Sequence, residues 1–228
     1  NTIDNSDNSD IQLEKIYLAM ARHQWGKAIS MLNDIQFKTS DLKILYIRSL
    51  AEARLNIELD RFLLSCLDLP EPQKSYASIW RSICKEEWDD AIVQLATRLK
   101  NLTTNELYDY NPQLLISRCY RHINQLDVAH EQLVAYEKHS KNVPQCREEI
   151  ALLANRRGQW GKIYNQITSV YPTAEDIPEP IAAIVINALQ QQALQIANSL
   201  SKATLPETVL MQVKSLREKG YITKAKIL

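Results

Sequence analysis

Glycine is scarce in this chain, with four in 228 residues. That argues against a sheet rich in tight hairpins, whose two-residue turns demand positive φ, and against glycine-rich phosphate loops. Neither sign of charge is in surplus, since lysine plus arginine and aspartate plus glutamate each number 27. A nucleic-acid binder needs a basic excess to displace counterions from phosphates, so neutrality points away from that class. No apolar run is long enough to cross a bilayer. The best stretch, Ile181 to Leu189, is about half the required length and contains Asn187. The four cysteines, Cys66, Cys84, Cys119 and Cys146, form no Cys-x-x-Cys pair. They read as small buried residues of predicted helices, not as a disulfide framework. They favour a reducing compartment weakly.

Signatures of chemistry are missing too. The sequence contains no Gly-x-Gly-x-x-Gly, no Walker loop, no Gly-x-Ser-x-Gly and no His-Glu-x-x-His. The histidines are His23, His122, His130 and His139, and none stands at metal-ligand spacing with two or three partners. Glu86, Glu87, Asp89 and Asp90 fall at a predicted turn, where a solvated acidic cluster is the simpler reading than acid–base work. The expectation is a non-enzyme needing no metal or other cofactor.

What the chain has is a recurring interval. Residues nine apart flank a short polar segment at Ala19/Ala28, Ala53/Phe62, Ser82/Ala91, Tyr120/Ala129, Ala154/Ile163, Ala188/Ala197 and Leu216/Ala225. Six residues after each first member stands a bulky apolar residue: Trp25, Leu59, Trp88, Leu126, Trp160, Leu194 and Ile222. The second members lie 34, 29, 38, 34, 34 and 28 residues apart. Self-similarity at this period predicts stacked helical pairs. Leu13, Ile16, Tyr17 and Met20 recur at helical spacing after Asp10, a predicted cap. Thr39-Ser40-Asp41 caps the second unit, and Pro70, Pro72, Pro144 and Pro172 punctuate later ones. Residues 1–9 are polar and acidic and read as a disordered tail. The remainder, 10–228, reads as about seven helical pairs. The last is cut short, so the polypeptide is expected to extend further.

The small residues Ala28, Ala91 and Ala129, the turn residues Asn124 and Gly158, and the later Pro144 and Pro172 together resemble the tetratricopeptide repeat. The departures are that the first-helix aromatic is usually replaced by Ala, Ser or Leu and that repeat lengths vary. The resemblance implies an all-α, right-handed superhelical solenoid of antiparallel helix pairs. It further implies that the first helix of each pair lines a concave surface. By position that surface would carry Tyr17, Ile47, Arg54, Tyr76 and Trp80 in its first half. Arg118, Arg121, His122, Glu148 and Arg156 would follow in its second.

An apolar, aromatic half followed by a basic half suits a peptide with apolar anchors and acidic groups, because arginine binds carboxylates bidentately. The partner-binding residues expected on this basis are Tyr17, Trp80, Arg118, Arg121, His122 and Arg156. The function implied is a protein-interaction scaffold, with neither nucleic acid nor direct membrane insertion. Two alternatives stay open: a regulatory or substrate-presenting domain of an enzyme such as a transferase, and a bacterial secretion or envelope-assembly component. A cytoplasmic setting is weakly favoured, with a periplasmic or membrane-tethered one open if a segment precedes Asn1.

Overall fold

The computed structural model of the chain describes residues 4–35, 39–100, 112–137, 144–199 and 211. Among the described residues there are eleven helices and no strand. They divide into two compact units, Asn1–Gln125 and Leu126–Leu228. The first contains α1 (Asp4–Ala21), α2 (Trp25–Asp34), α3 (Ser40–Glu52), α4 (Asn56–Leu64), α5 (Gln73–Cys84), α6 (Trp88–Lys100) and α7 (Pro112–His122). The second contains α8 (Leu126–Glu137), α9 (Pro144–Arg156), α10 (Trp160–Thr168) and α11 (Glu179–Ser199). Within each unit helices pack on their neighbours in sequence, and α3 also packs on α5 and α9 on α11. The connection holding Tyr108 and Tyr110, Ala197 as a packing residue and the seventh repeat apart from Met211 lie outside the described side chains.

The nine-residue interval has a physical origin in one turn, built five times. His23, Arg54, Glu86, Asn124 and Gly158 all adopt left-handed backbone, with φ between 55° and 67°. In each case that residue's N–H donates to the carbonyl three back, as in His23 to Met20 (3.0 Å) and Asn124 to Arg121 (3.2 Å). The next residue's N–H then donates to the carbonyl five back: Gln24 to Ala19, Leu55 to Leu50, Glu87 to Ser82, Gln125 to Tyr120 and Gln159 to Ala154, all at 2.9–3.0 Å. This is the Schellman closure, which satisfies carbonyls left open at a helix end.

That same next residue starts the following helix. The carbonyls of Gln24, Leu55 and Glu87 accept from Ala28, Leu59 and Ala91. One residue thus closes a helix and opens another. The two members of each nine-residue pair stand four residues before the left-handed position and five after it.

Most of the expected pairs fall on this frame. Ala19, Ala28, Ser82, Ala91, Ala129, Ala154 and Ile163 are all buried, with Ala28, Ala91 and Ala129 fully so, and Tyr120 half-buried. Ser82 donates to Asp90 (2.6 Å), which also accepts from Gln94, so part of the acidic cluster serves to lock a turn.

The pair of the second repeat is a correction. Left-handed Arg54 sets the pair as Leu50 and Leu59, both buried, three residues before Ala53 and Phe62, which are only half-buried. Its second helix begins at Asn56 and ends at Leu64, and Leu67 beyond it is 79% exposed. The sixth unit also differs. Between Ala188 and Ala197 there is no turn, because α11 runs unbroken through Gln190-Gln191-Gln192. Glutamine is a good helix former, so nothing local in that stretch interrupts the helix. Leu194, expected beside a turn, is 55% exposed on that helix.

At the start, α1 is helical from Asp4, ahead of the Asp10 cap and into the segment read as a tail. Thr39 does cap α3, accepting from Leu42 N–H at 3.3 Å. The four cysteines are free and buried.

Candidate functional site

In the first unit the first helices α3, α5 and α7 carry most of the residues expected to meet a partner. Their surroundings follow from how α5 is placed. It packs against α3, α4 and α6, so it is enclosed on more than one side. Tyr76, Ile79, Trp80 and Ile83 are all within 2% of full burial. Trp80 is therefore a core residue, as is Ile47. The Arg48 guanidinium lies 5.6 Å from the Trp80 ring and 5.9 Å from the Trp25 ring, within range of cation–π attraction to both. The Trp80 indole Nε1 is buried and makes no hydrogen bond among the described residues.

Arg118, on α7, is engaged from inside the protein. Its two terminal nitrogens donate to the two oxygens of Glu52, at the end of α3, at 2.6 and 2.8 Å. The bidentate geometry is the strong form of this pair. Glu52 is 10% exposed. Burial, the largest influence, pushes its carboxyl upward. The charge and hydrogen bonds of Arg118, with the charges of Arg48 and His23 behind them, more than reverse that and hold it at about 2. Arg121 is buried at 7% exposure. The expected basic half is thus largely turned inward in this unit.

His122 lies flat on Trp88, with ring centres 4.0 Å apart and planes 10° from parallel. Arg54 lies 5.4 Å from the same Trp88 ring. It also donates to the carbonyls of Ile83 (2.7 Å) and Cys84 (3.4 Å) and meets Glu86 at 3.4 Å. Three successive turns are joined through one indole, which explains why a bulky ring opens α6. Trp25 opens α2 and Trp160 opens α10 in the same position.

Of the six expected partner residues, two are solvent-facing. Tyr17 is 51% exposed on α1, beside Ile11 and Leu18, which are also about half exposed. Arg156, at the end of α9 in the second unit, is exposed. Glu148, expected on the same face, is buried and accepts a short hydrogen bond from the Tyr171 hydroxyl. Burial first, then that carboxylate, raises the Tyr171 phenol well above its usual range. The structure brings Arg118, Arg121 and His122 together on α7, with Trp80 on α5 of the same unit. The residues that sequence reasoning missed are Glu52 and Arg48. Neither carries a local signal, because the Glu52–Arg118 pair joins positions 66 apart.

Among the described residues no group of three or more His, Cys, Asp and Glu side chains is placed to hold a metal ion. No described helix is long and apolar enough to cross a membrane. Compared with known proteins, the chain matches no family model, no curated sequence and no solved structure.

Proposed function

We propose that this chain is a helical-repeat scaffold of the tetratricopeptide-like kind, a solenoid that binds a partner protein without turnover. The observation that carries the reading is the fivefold repetition of one hydrogen-bonded turn at positions 23, 54, 86, 124 and 158. A chain that repeats one closure every 31 to 38 residues makes stacked helix pairs, and such stacks act chiefly through extended surface. The contact surface on this reading is the row of first helices. In the first unit Tyr17, with Ile11 and Leu18 exposed on the same helix, supplies apolar area, and in the second exposed Arg156 supplies a basic group.

The test is a complex recovered by affinity capture, reconstituted from purified components and mapped by hydrogen exchange. Protection should concentrate on α1, α3, α5 and α7, and Tyr17→Asp should weaken the complex while leaving helicity unchanged. Protection confined to the second helices α2, α4 and α6, with Tyr17→Asp binding normally, would overturn the reading.

A further inference from the structure

The second unit contains a groove of about 310 Å³ that the scaffold reading does not use. Two second helices wall it. From α8 come His130, Val134 and Glu137, and from α10 come Lys162 and Gln166, with Gln159 at its N-cap. Helix α9 supplies the floor between them, with Leu153 and Ala154 buried, and Leu133 of α8 completes it. The floor is apolar because α9 is packed against both neighbours and turns its aliphatic stripe toward the gap between them. Val134 is 39% exposed at the edge, so apolar surface reaches solvent there.

The charges around this floor are unequal. Glu137 is the groove's one acidic group, and it already holds Arg147 at 2.9 Å. Arg157 points its guanidinium at the Leu126 carbonyl (2.9 Å) and at Asp127 (2.6 Å), a carboxylate that is 97% exposed. Lys162 is exposed on the α10 wall and has no carboxylate partner among the described residues. Exposed His130 stands on the opposite wall. An aliphatic slot with a cationic rim is complementary to an apolar side chain carried next to carboxylates. The volume is at the low end for ligand pockets, which limits the occupant to one or two side chains of an extended segment.

We propose that the α8–α10 groove is a docking site for a short acidic peptide segment anchored by one large apolar side chain. Its lining includes none of Tyr17, Arg118, Arg121, His122 and Arg156, so its test does not depend on the surface proposed above.

The probe is a fluorescein-labelled, amino-acetylated hexapeptide with one central leucine or phenylalanine flanked by aspartates. Controls replace the apolar residue by serine, or the aspartates by lysines. Fluorescence polarisation on the full chain should show saturable binding of the aspartate-flanked peptides, and both controls should bind at least tenfold more weakly. Lys162→Glu and Val134→Glu should each weaken the aspartate-flanked probe about tenfold. Val93→Glu, which alters a comparably exposed apolar residue of the first unit (64%), should leave it unchanged. Lys162 and Val134 are solvent-facing, and matched melting curves establish that their variants fold. Binding should also fall between low and physiological salt, since the rim charges are exposed. The proposal is overturned by equal binding of the lysine-flanked peptide, by indifference to both groove variants, or by no saturation up to millimolar probe.

Discussion

Removing the guanidinium of Arg118 should expose how much the first unit depends on a single buried carboxylate. In Arg118→Met the aliphatic stem is replaced, but Glu52 stays at 10% exposure without its bidentate partner. Breaking a buried pair from one side costs about 3–5 kcal/mol, because a charge is left in a poor solvent. For a chain of this length that lowers the melting temperature by roughly 6–20 °C.

The pH dependence gives an independent figure. Glu52 has an ordinary value near 4.5 and is held at about 2 in the folded protein. A depressed carboxylate contributes stability that is fully present above its unfolded pKa and lost as pH falls through its folded one. The shift corresponds to about 3 kcal/mol, in line with the loss expected from the variant. The gap between wild type and Arg118→Met should therefore be widest at pH 7. It should close by about 2 kcal/mol at pH 3, because the variant has lost the pair that acid removes from the wild type. Asp60 and Asp68 are also depressed, by lysine and arginine partners at the surface, and they cancel in the difference. Urea titrations followed by tryptophan emission suit the measurement, since Trp25, Trp80 and Trp88 are all in the first unit. The double variant Glu52→Leu, Arg118→Met should recover most of the loss, because no charge is stranded. A gap below 1 kcal/mol at pH 7, or one that stays constant down to pH 3, would refute the argument.

The turn geometry can be probed at Gly158. A Cβ there would meet Trp160 at an ordinary 3.9 Å, so the roughly 1–2 kcal/mol expected to be lost in Gly158→Ala comes from left-handed backbone alone. An unchanged urea midpoint would mean the turn is built differently. Ala129 is fully buried, and Ala129→Leu should overpack its site and cost about 1–3 kcal/mol, read as a lower melting temperature with helical content preserved.

Much of the fold is readable from the chain because the closing turn fixes which residues can meet. Where the left-handed position is Asn124 or Gly158, residue type announces it. Where it is Arg54, type is silent, and the small side chain of Ala53 drew the register three residues late. The reason Arg54 stands there is tertiary: its side chain closes the end of α5. Unbroken α11 is a similar case, since a nine-residue alanine pair means nothing without a residue able to turn the chain between its members.

The expected binding row was less legible. Helical periodicity identifies one stripe to bury, which suffices for a peripheral helix such as α1. It fails for α5, which is enclosed by three neighbours and buries Tyr76 and Trp80 together. Nor does periodicity report that Arg118 already holds Glu52. The α8–α10 groove was invisible for the same reason. It is a gap between two helices, and its walls come from three separate stretches of chain.

The shared turn residue also governs where this chain tolerates a change of length. Because Gln24, Leu55 and Glu87 each end one helix and begin the next, there is no slack within a pair. An added residue would break both closures at once. Between pairs no such double duty exists, and the left-handed positions are unevenly spaced, from 23 to 54 and from 86 to 124. Insertions, tags or grafted loops therefore belong between pairs, for instance after α4 at exposed Leu67 and Asp68, which stand between the buried Cys66 and Leu69. The five turns inside pairs act as fixed rulers against which the rest of the sequence can drift.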